Sequence, residues 1–193
     1  RTPLYAVTGL THLLLEENPS ENQKEHLKAL KFSGDYLLNF INDILQINKI
    51  DADKLEPPNI DFNLKKTIQE VIDSLQQSAS ANNTKIILEY DEEIPSHLMS
   101  DPIKLSQIFM NLVGNALKFT KDGEVRVIAK ILEKEEEDVT LYFEVADTGI
   151  GISEENQQSI FEGFEQGSIQ INREYGGTGL GLTIVKSLLG LFD

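Results

Sequence analysis

The positions Leu27, Leu30, Gly34, Leu37, Ile41, Ile44 and Asn48 follow one another at alternating spacings of three and four, the seam of a heptad repeat. Residues 1 to about 55 read as helical throughout, broken once at Asn18-Pro19-Ser20, where Ser20 can cap the second helix. The pattern predicts a helical hairpin whose second arm, about 32 residues, is about 48 Å long. Tyr36, Leu38, Phe40, Leu45 and Ile47 widen the apolar stripe beyond what one short partner covers. Two copies forming a four-helix bundle would bury it, and a two-helix hairpin docked on the rest of the chain is the alternative. Pro57-Pro58 marks a boundary, because neither residue continues a helix.

Beyond it the period changes back and forth between that of a helix and that of a strand. Leu64 to Ala81 reads as a helix and Lys85 to Tyr90 as a strand. A second helix runs from Asp101 to Phe119, capped by Asp101 with Pro102 in its first turn. Glu124 to Leu132 and Val139 to Ala146 form a strand pair; a short helix follows from Ser153 and a last one from about Thr178. The expected fold is α+β: residues 1–55 a helical hairpin, residues 56–193 an α/β sandwich with a largely antiparallel sheet.

Composition narrows the chemistry. With 32 acidic against 17 basic residues the net charge is −15, a field that opposes nucleic acid and anionic lipid. Any nucleotide therefore needs local donors and a divalent cation. The acidic run Glu133 to Asp138 lies between two strands and reads as a solvated hairpin loop. No apolar run reaches the roughly 20 residues of a membrane span, and no signal peptide is visible. The chain has no Cys, which removes disulfides and thiolate chemistry, and its three His (His12, His26, His97) are too scattered for a metal cluster.

Four stretches carry chemistry. Asn111, Asn115 and Lys118 fall at i, i+4 and i+7 on one helical face, beside an apolar stripe of Leu105, Phe109, Leu112 and Ala116. Two Asn with Gly114 between them weaken a helix, which points to use: amide oxygens suit a hard cation such as Mg²⁺, and Lys118 can meet a phosphate. The bland alternative is that both Asn satisfy nearby backbone. Asp147 continues the apolar face of Val139, Leu141, Phe143 and Val145, and Asp147-Thr-Gly149-Ile-Gly151 then turns tightly, which is also an ordinary Asp-Gly turn signal. A carboxylate ending an apolar row needs a donor, and the exocyclic amine of adenine would serve. Phe161-Glu-Gly-Phe164 leads into a polar loop from Gln166 to Tyr175 with the length of a lid, in which Arg173 can swing onto a phosphate. Finally Gly176-Gly177-Thr178-Gly179-Leu180-Gly181-Leu182 opens the last helix. A Walker loop would need Lys at Leu182, and a dinucleotide-binding turn a preceding strand and other spacing, so the run suggests phosphate binding of another kind.

In this order Asn111-xxx-Asn115-Ala-x-Lys118-Phe, Asp147-x-Gly-x-Gly151, Phe161-xx-Phe164 and Gly177-Thr-Gly-Leu-Gly-Leu182 match the N, G1, F and G2 boxes. They resemble the catalytic ATP-binding domain of bacterial sensor histidine kinases, and Arg1-Thr2-Pro3-Leu4 is similar to the end of the H box that opens the dimerisation and phosphotransfer hairpin. The resemblance implies ATP and Mg²⁺ in a Bergerat-type pocket. Asp147 would hold the adenine amine near Gly149, Gly151 and Phe164. Asn115 would ligate Mg²⁺ with Asn111 in support, and Lys118 and Arg173 would contact phosphates. Gly177, Thr178, Gly179, Leu180 and Gly181 would bring the lid and helix start to the triphosphate. The γ-phosphoryl group would pass to a histidine and then to an aspartate on a response-regulator receiver domain, within a cytoplasmic homodimer built through residues 1–55. Thr2 matches the residue that positions water for dephosphorylating the regulator.

The sequence departs from the family in three places. The resemblance puts the acceptor histidine three residues before Arg1, so the chain by itself is not expected to autophosphorylate. His12 would lie about 14 residues further on and about 21 Å away, with a solvated or packing role. Two more strands after the last helix are usual in relatives, and the sequence given ends at Asp193; Gly163 stands where many relatives have Pro. The alternatives in function are a dimeric ATP-binding switch without phosphotransfer and a regulator phosphatase. Related Bergerat ATPases such as gyrase lack the helical hairpin.

Overall fold

The computed structural model describes residues 2–52, 59–136, 138–157, 159–161 and 179–192. The expected boundary at Pro57-Pro58 lies outside them. Helix α1 covers Thr2–Glu16 and α2 covers Glu21–Ala52, 32 residues as the periodicity predicts. Asn18, at a φ of 52°, turns the chain between them. Ser20 closes the break with the reciprocal half of a capping box: its backbone N–H donates to the Gln23 side chain at 3.0 Å, and its hydroxyl donates there too. The helices come together where Gly34 faces Thr8; a Cβ on Gly34 would lie 2.6 Å from the Thr8 methyl.

The single chain buries only part of the predicted seam. Gly34 is buried against Thr8 of α1 and Leu38 beside the seam is buried too, whereas Leu30 and Leu37 are exposed, and Ile44 turns toward the rest of the chain. The reason is length: α1 has 15 residues and covers less than half of α2. Tyr5, Leu10, Leu13 and Leu14 of α1 remain exposed as well.

The remaining elements are β1 (Ile60–Phe62), α3 (Leu64–Ala81), β2 (Lys85–Tyr90), β3 (Leu98–Ser100), α4 (Pro102–Phe119), β4 (Glu124–Lys134), β5 (Val139–Asp147), α5 (Glu154–Gln157), a 3₁₀ turn at Ser159–Phe161, and α6 (Gly181–Leu189). Their caps fix two of the helices: Asn63 accepts from the Lys66 N–H, and Asp101, nearly fully buried, accepts from both Ile103 and Lys104. The main sheet has the order β2-β4-β5. Its β4–β5 hairpin is antiparallel, but β2 runs parallel to β4, because the connection between them passes through β3 and α4 and returns at the same end. The sheet is thus more mixed than expected. β1 and β3 pair antiparallel as a separate two-stranded sheet that no periodicity announced.

Helices α3 and α4 cover one face of the sheet. Leu64, Ile68, Val71 and Ile72 of α3 and Phe109, Val113, Ala116 and Leu117 of α4 pack on Val125, Val127 and Ala129 of β4. Phe109 meets Phe143 of β5 edge to face at 5.2 Å. The buried stripe of α4 is therefore Ile108, Phe109, Val113, Ala116 and Leu117. Leu105 and Leu112 are only half-buried, and Leu112 belongs to a second apolar cluster. That cluster joins Ile108 of α4 to Leu180, Ile184, Val185 and Leu188 around α6, with Phe40 and Ile44 of α2 packed against it. β4 runs two residues further into the acidic run than expected, Glu133 pairing with Thr140 and Lys134 with Val139, so the solvated hairpin loop is shorter than predicted; Glu135, Glu136 and Asp138 are exposed.

Candidate functional site

Helix α4 is the common floor of the site. The side that does not enter the core carries Asn111, Asn115 and Lys118, all half-buried. Neither Asn side chain has a hydrogen-bond partner among the described residues, which removes the reading in which both satisfy nearby backbone. The Lys118 amine lies 4.8 Å from the centroid of the Phe119 ring, and burial lowers its pKa below the ordinary lysine value. The same row extends one turn back to Gln107, whose Nε2 is buried without a partner among the described residues. Sequence reading stopped at Asn111, although the spacing of four already pointed to Gln107.

Gly181 seats the start of α6 on this row. A Cβ on Gly181, the first residue of α6, would lie 3.5 Å from Asn115 Nδ2 and 3.6 Å from Asn111 Oδ1. Leu180 ahead of it is fully buried and its side chain has no acceptor atom, so it supplies no side-chain cap to the first N–H groups of α6. Gly179 has a φ of 73°, a backbone that only glycine adopts cheaply. Thr183 of α6 donates to the Phe161 carbonyl at 3.5 Å, which ties the start of the F box to the same helix. Phe164, Arg173, Gly177 and Thr178, with the rest of the expected lid and Gly163, lie outside the described residues.

The turn after β5 meets the other end of α4. Asp147 pairs with Val125 at the last register position of the sheet. It is exposed, so the expected cost of a carboxylate ending an apolar row does not arise: Leu141, Phe143 and Val145 pack against the core, and the strand carries Asp147 past its edge. The Gly149 N–H donates to Asp147 Oδ1 at 2.9 Å, and the Ile150 N–H to the Phe119 carbonyl at 3.3 Å. A Cβ on Gly149 would collide with that carbonyl and lie 2.8 Å from the Asp147 carboxylate, so the turn closes on α4 only with glycine there. Gly151 follows at a φ of 69°. A cleft of about 430 Å³ opens along this junction, lined by Lys118, Phe119, Thr148, Gly149 and Ile150 together with Asn82, Thr120 and Lys121. It takes in Lys118 but neither Asn111 nor Asn115.

Two further candidates stand apart. Thr2 is exposed at the first position of α1, and His12 is exposed with Nε2 3.4 Å from Glu16. Among the described residues no helix is long and apolar enough to cross a membrane.

Known proteins match this arrangement along most of the chain. Residues 100–193 match the family described as histidine kinase-, DNA gyrase B- and HSP90-like ATPase, and residues 1–53 match the His Kinase A (phospho-acceptor) domain. The signal transduction histidine-protein kinase BarA of Escherichia coli is 38% identical over 189 residues, spanning 98% of this chain and 21% of the relative. The sensor histidine kinase GacS of Pseudomonas protegens is 39% identical over the same length and shares. The crystal structure of full-length ShkA in complex with AMPPNP superposes with a TM-score of 0.75 at 30% identity, covering 99% of this chain and 38% of that one. The ATPase fold and the helical hairpin ahead of it define a class of two-part kinase core. The chain belongs to the sensor histidine kinases, and it spans about a fifth of the length of the curated relatives it matches.

Proposed function

We propose that this chain is the core of a histidine kinase that binds ATP with Mg²⁺ and passes the γ-phosphoryl group to a histidine imidazole, then to an aspartate of a response-regulator receiver domain. The observation that carries the reading is the seating of Gly181 against Asn111 and Asn115. A helix N-terminus favours anions, and amide oxygens suit a hard cation, so one small volume combines donors for a phosphate and for the metal that accompanies it. The residues fit the metal: both amides are half-buried and unpartnered among the described residues. Asn115 would ligate it with Asn111 in support, and its charge would neutralise the polyphosphate.

The other groups do the rest of the work. Lys118 and Arg173 contact phosphates, and Asp147 accepts from the adenine amine beside Gly149, Gly151 and Phe164. Gly177, Thr178, Gly179, Leu180 and Gly181 let the backbone approach the triphosphate. Positioning and charge neutralisation are the bulk of phosphoryl-transfer catalysis, so no covalent protein nucleophile is needed in the ATP site. Residues 1–55 form the dimerisation and phosphotransfer hairpin and residues 56–193 the catalytic domain. The exposed apolar side chains of α1 and α2 support pairing of two hairpins, and the exposed Thr2 is open to a receiver domain for dephosphorylation. Use of ATP and of a receiver domain fits a cytoplasmic setting.

Calorimetric titration tests the site directly. Asn115→Ala should weaken binding of ATP with Mg²⁺ by about tenfold or more, and binding of ATP in chelator much less. In a polypeptide extended upstream to carry a histidine three residues ahead of Arg1, ATP and Mg²⁺ should leave acid-labile phosphate on that histidine. If Asn115→Asp or Asp147→Ala kept full labelling, the site assignments would be wrong.

A further inference from the structure

We infer that Thr148 is a positioning residue for the Asp147 carboxylate and so sets which purine the site accepts; the inference rests on the reading of Asp147 as the acceptor of the adenine amine. The ladder between β4 and β5 ends at Val125 opposite Asp147. Thr148 extends the connection by one residue. Its backbone N–H donates to the Glu124 carbonyl at 3.1 Å, and its hydroxyl accepts from the Glu124 N–H at 3.0 Å. The hydroxyl proton faces the same Glu124 carbonyl at 3.5 Å. Asp147 is therefore held from both sides, by pairing before it and by a side-chain clasp after it.

The surroundings are cut to that clasp. A Cβ on Gly123 would collide with the Thr148 hydroxyl and lie 2.8 Å from the Thr120 methyl, so the glycine leaves the space the hydroxyl occupies. Thr148 itself is exposed, and burial gives no reason for its side chain to be there. Beyond it the Gly149 N–H takes up Asp147 Oδ1 and leaves Oδ2 without a hydrogen-bond partner among the described residues. A carboxylate with one oxygen anchored and one presented is suited to a single N–H donor such as an exocyclic amine. Release of the clasp would let the turn, and with it the presented oxygen, swing.

The test is the ratio of affinities for ATP and for inosine triphosphate, which carries an oxygen in place of the amine, measured by calorimetry on this chain. Thr148→Val should weaken ATP binding about tenfold and inosine triphosphate binding less than about twofold, because only the amine contact depends on the carboxylate's aim. Thr148→Ser should keep the unsubstituted ratio, and Thr148→Ala should behave as valine does if the valine variant folds poorly. General loss of structure would lower both affinities together and leave the ratio alone. A ratio unchanged in Thr148→Val or Thr148→Ala, in a variant whose urea-unfolding midpoint matches that of the unsubstituted chain, overturns the inference. If the unsubstituted chain binds nucleotide without preferring ATP, the reading of Asp147 fails, and the role of Thr148 falls with it.

Discussion

Lys118 is cationic in a place that resists charge. Burial lowers its amine below the ordinary value of 10.5, so the unfolded chain holds the proton more tightly than the folded one between the lowered value and 10.5. Stability therefore rises with pH through that window, since the cost of the buried charge disappears as the amine deprotonates. A phosphate beside the amine acts the other way and raises its pKa, so ATP binding on the alkaline side should draw in a proton. Titrations in two buffers of different ionisation enthalpy should reveal that uptake, and Lys118→Met should abolish it; uptake that persists would rule the lysine out. At this scale the sequence was readable where helical spacing decides placement, as it does in setting Asn111, Asn115 and Lys118 half-buried on α4. Thr148 was not, because its partner Glu124 is 24 positions away and only strand register brings them together.

Helix α4 shows what one element can be asked to do. It packs Phe109, Val113, Ala116 and Leu117 on the sheet, carries a polar row on another side, and ends against the turn after β5. Two of its glycine relationships have opposite meanings. A Cβ on Gly114 would meet nothing within 4 Å, whereas one on Gly149 would strike the Phe119 carbonyl at the end of α4. Gly114→Ala should raise stability in urea unfolding by up to about 1 kcal/mol, the difference in helix propensity. Gly149→Ala should lower it by about 1–3 kcal/mol, the cost of forcing atoms into filled space. An equal effect of the two would mean that the turn does not close on α4 as described. Boundaries were legible where capping chemistry wrote them, at Ser20 and Asp101 above all. β1 and β3 have three residues each, too few for alternation to register, and they form only because the chain returns to pair them.

The whole molecule is held by two apolar clusters that share α4. The first is the core of the sandwich; the second takes Phe40 and Ile44 from α2 as well as α6, so the hairpin and the ATPase fold are packed on one another as well as joined in sequence. No heptad count could have assigned Ile44 to that cluster, because the seam looks the same whichever partner covers it. Elsewhere the hairpin is unfinished as a single chain: Leu10 is 60% exposed, Tyr5 and Leu13 are 55% exposed, and Leu30 is 52% exposed. Apolar surface left in water is an unspent driving force for association. The melting temperature of this protein should therefore not be a fixed property. Where two copies pair before they unfold, stability grows with the logarithm of concentration, so scans at rising protein concentration should move the transition upward by mass action. Leu10→Glu should flatten that dependence, and a midpoint constant across a hundredfold range of concentration would mean that the exposed face stays uncovered. How stable the hairpin is thus becomes a question about how many copies are present.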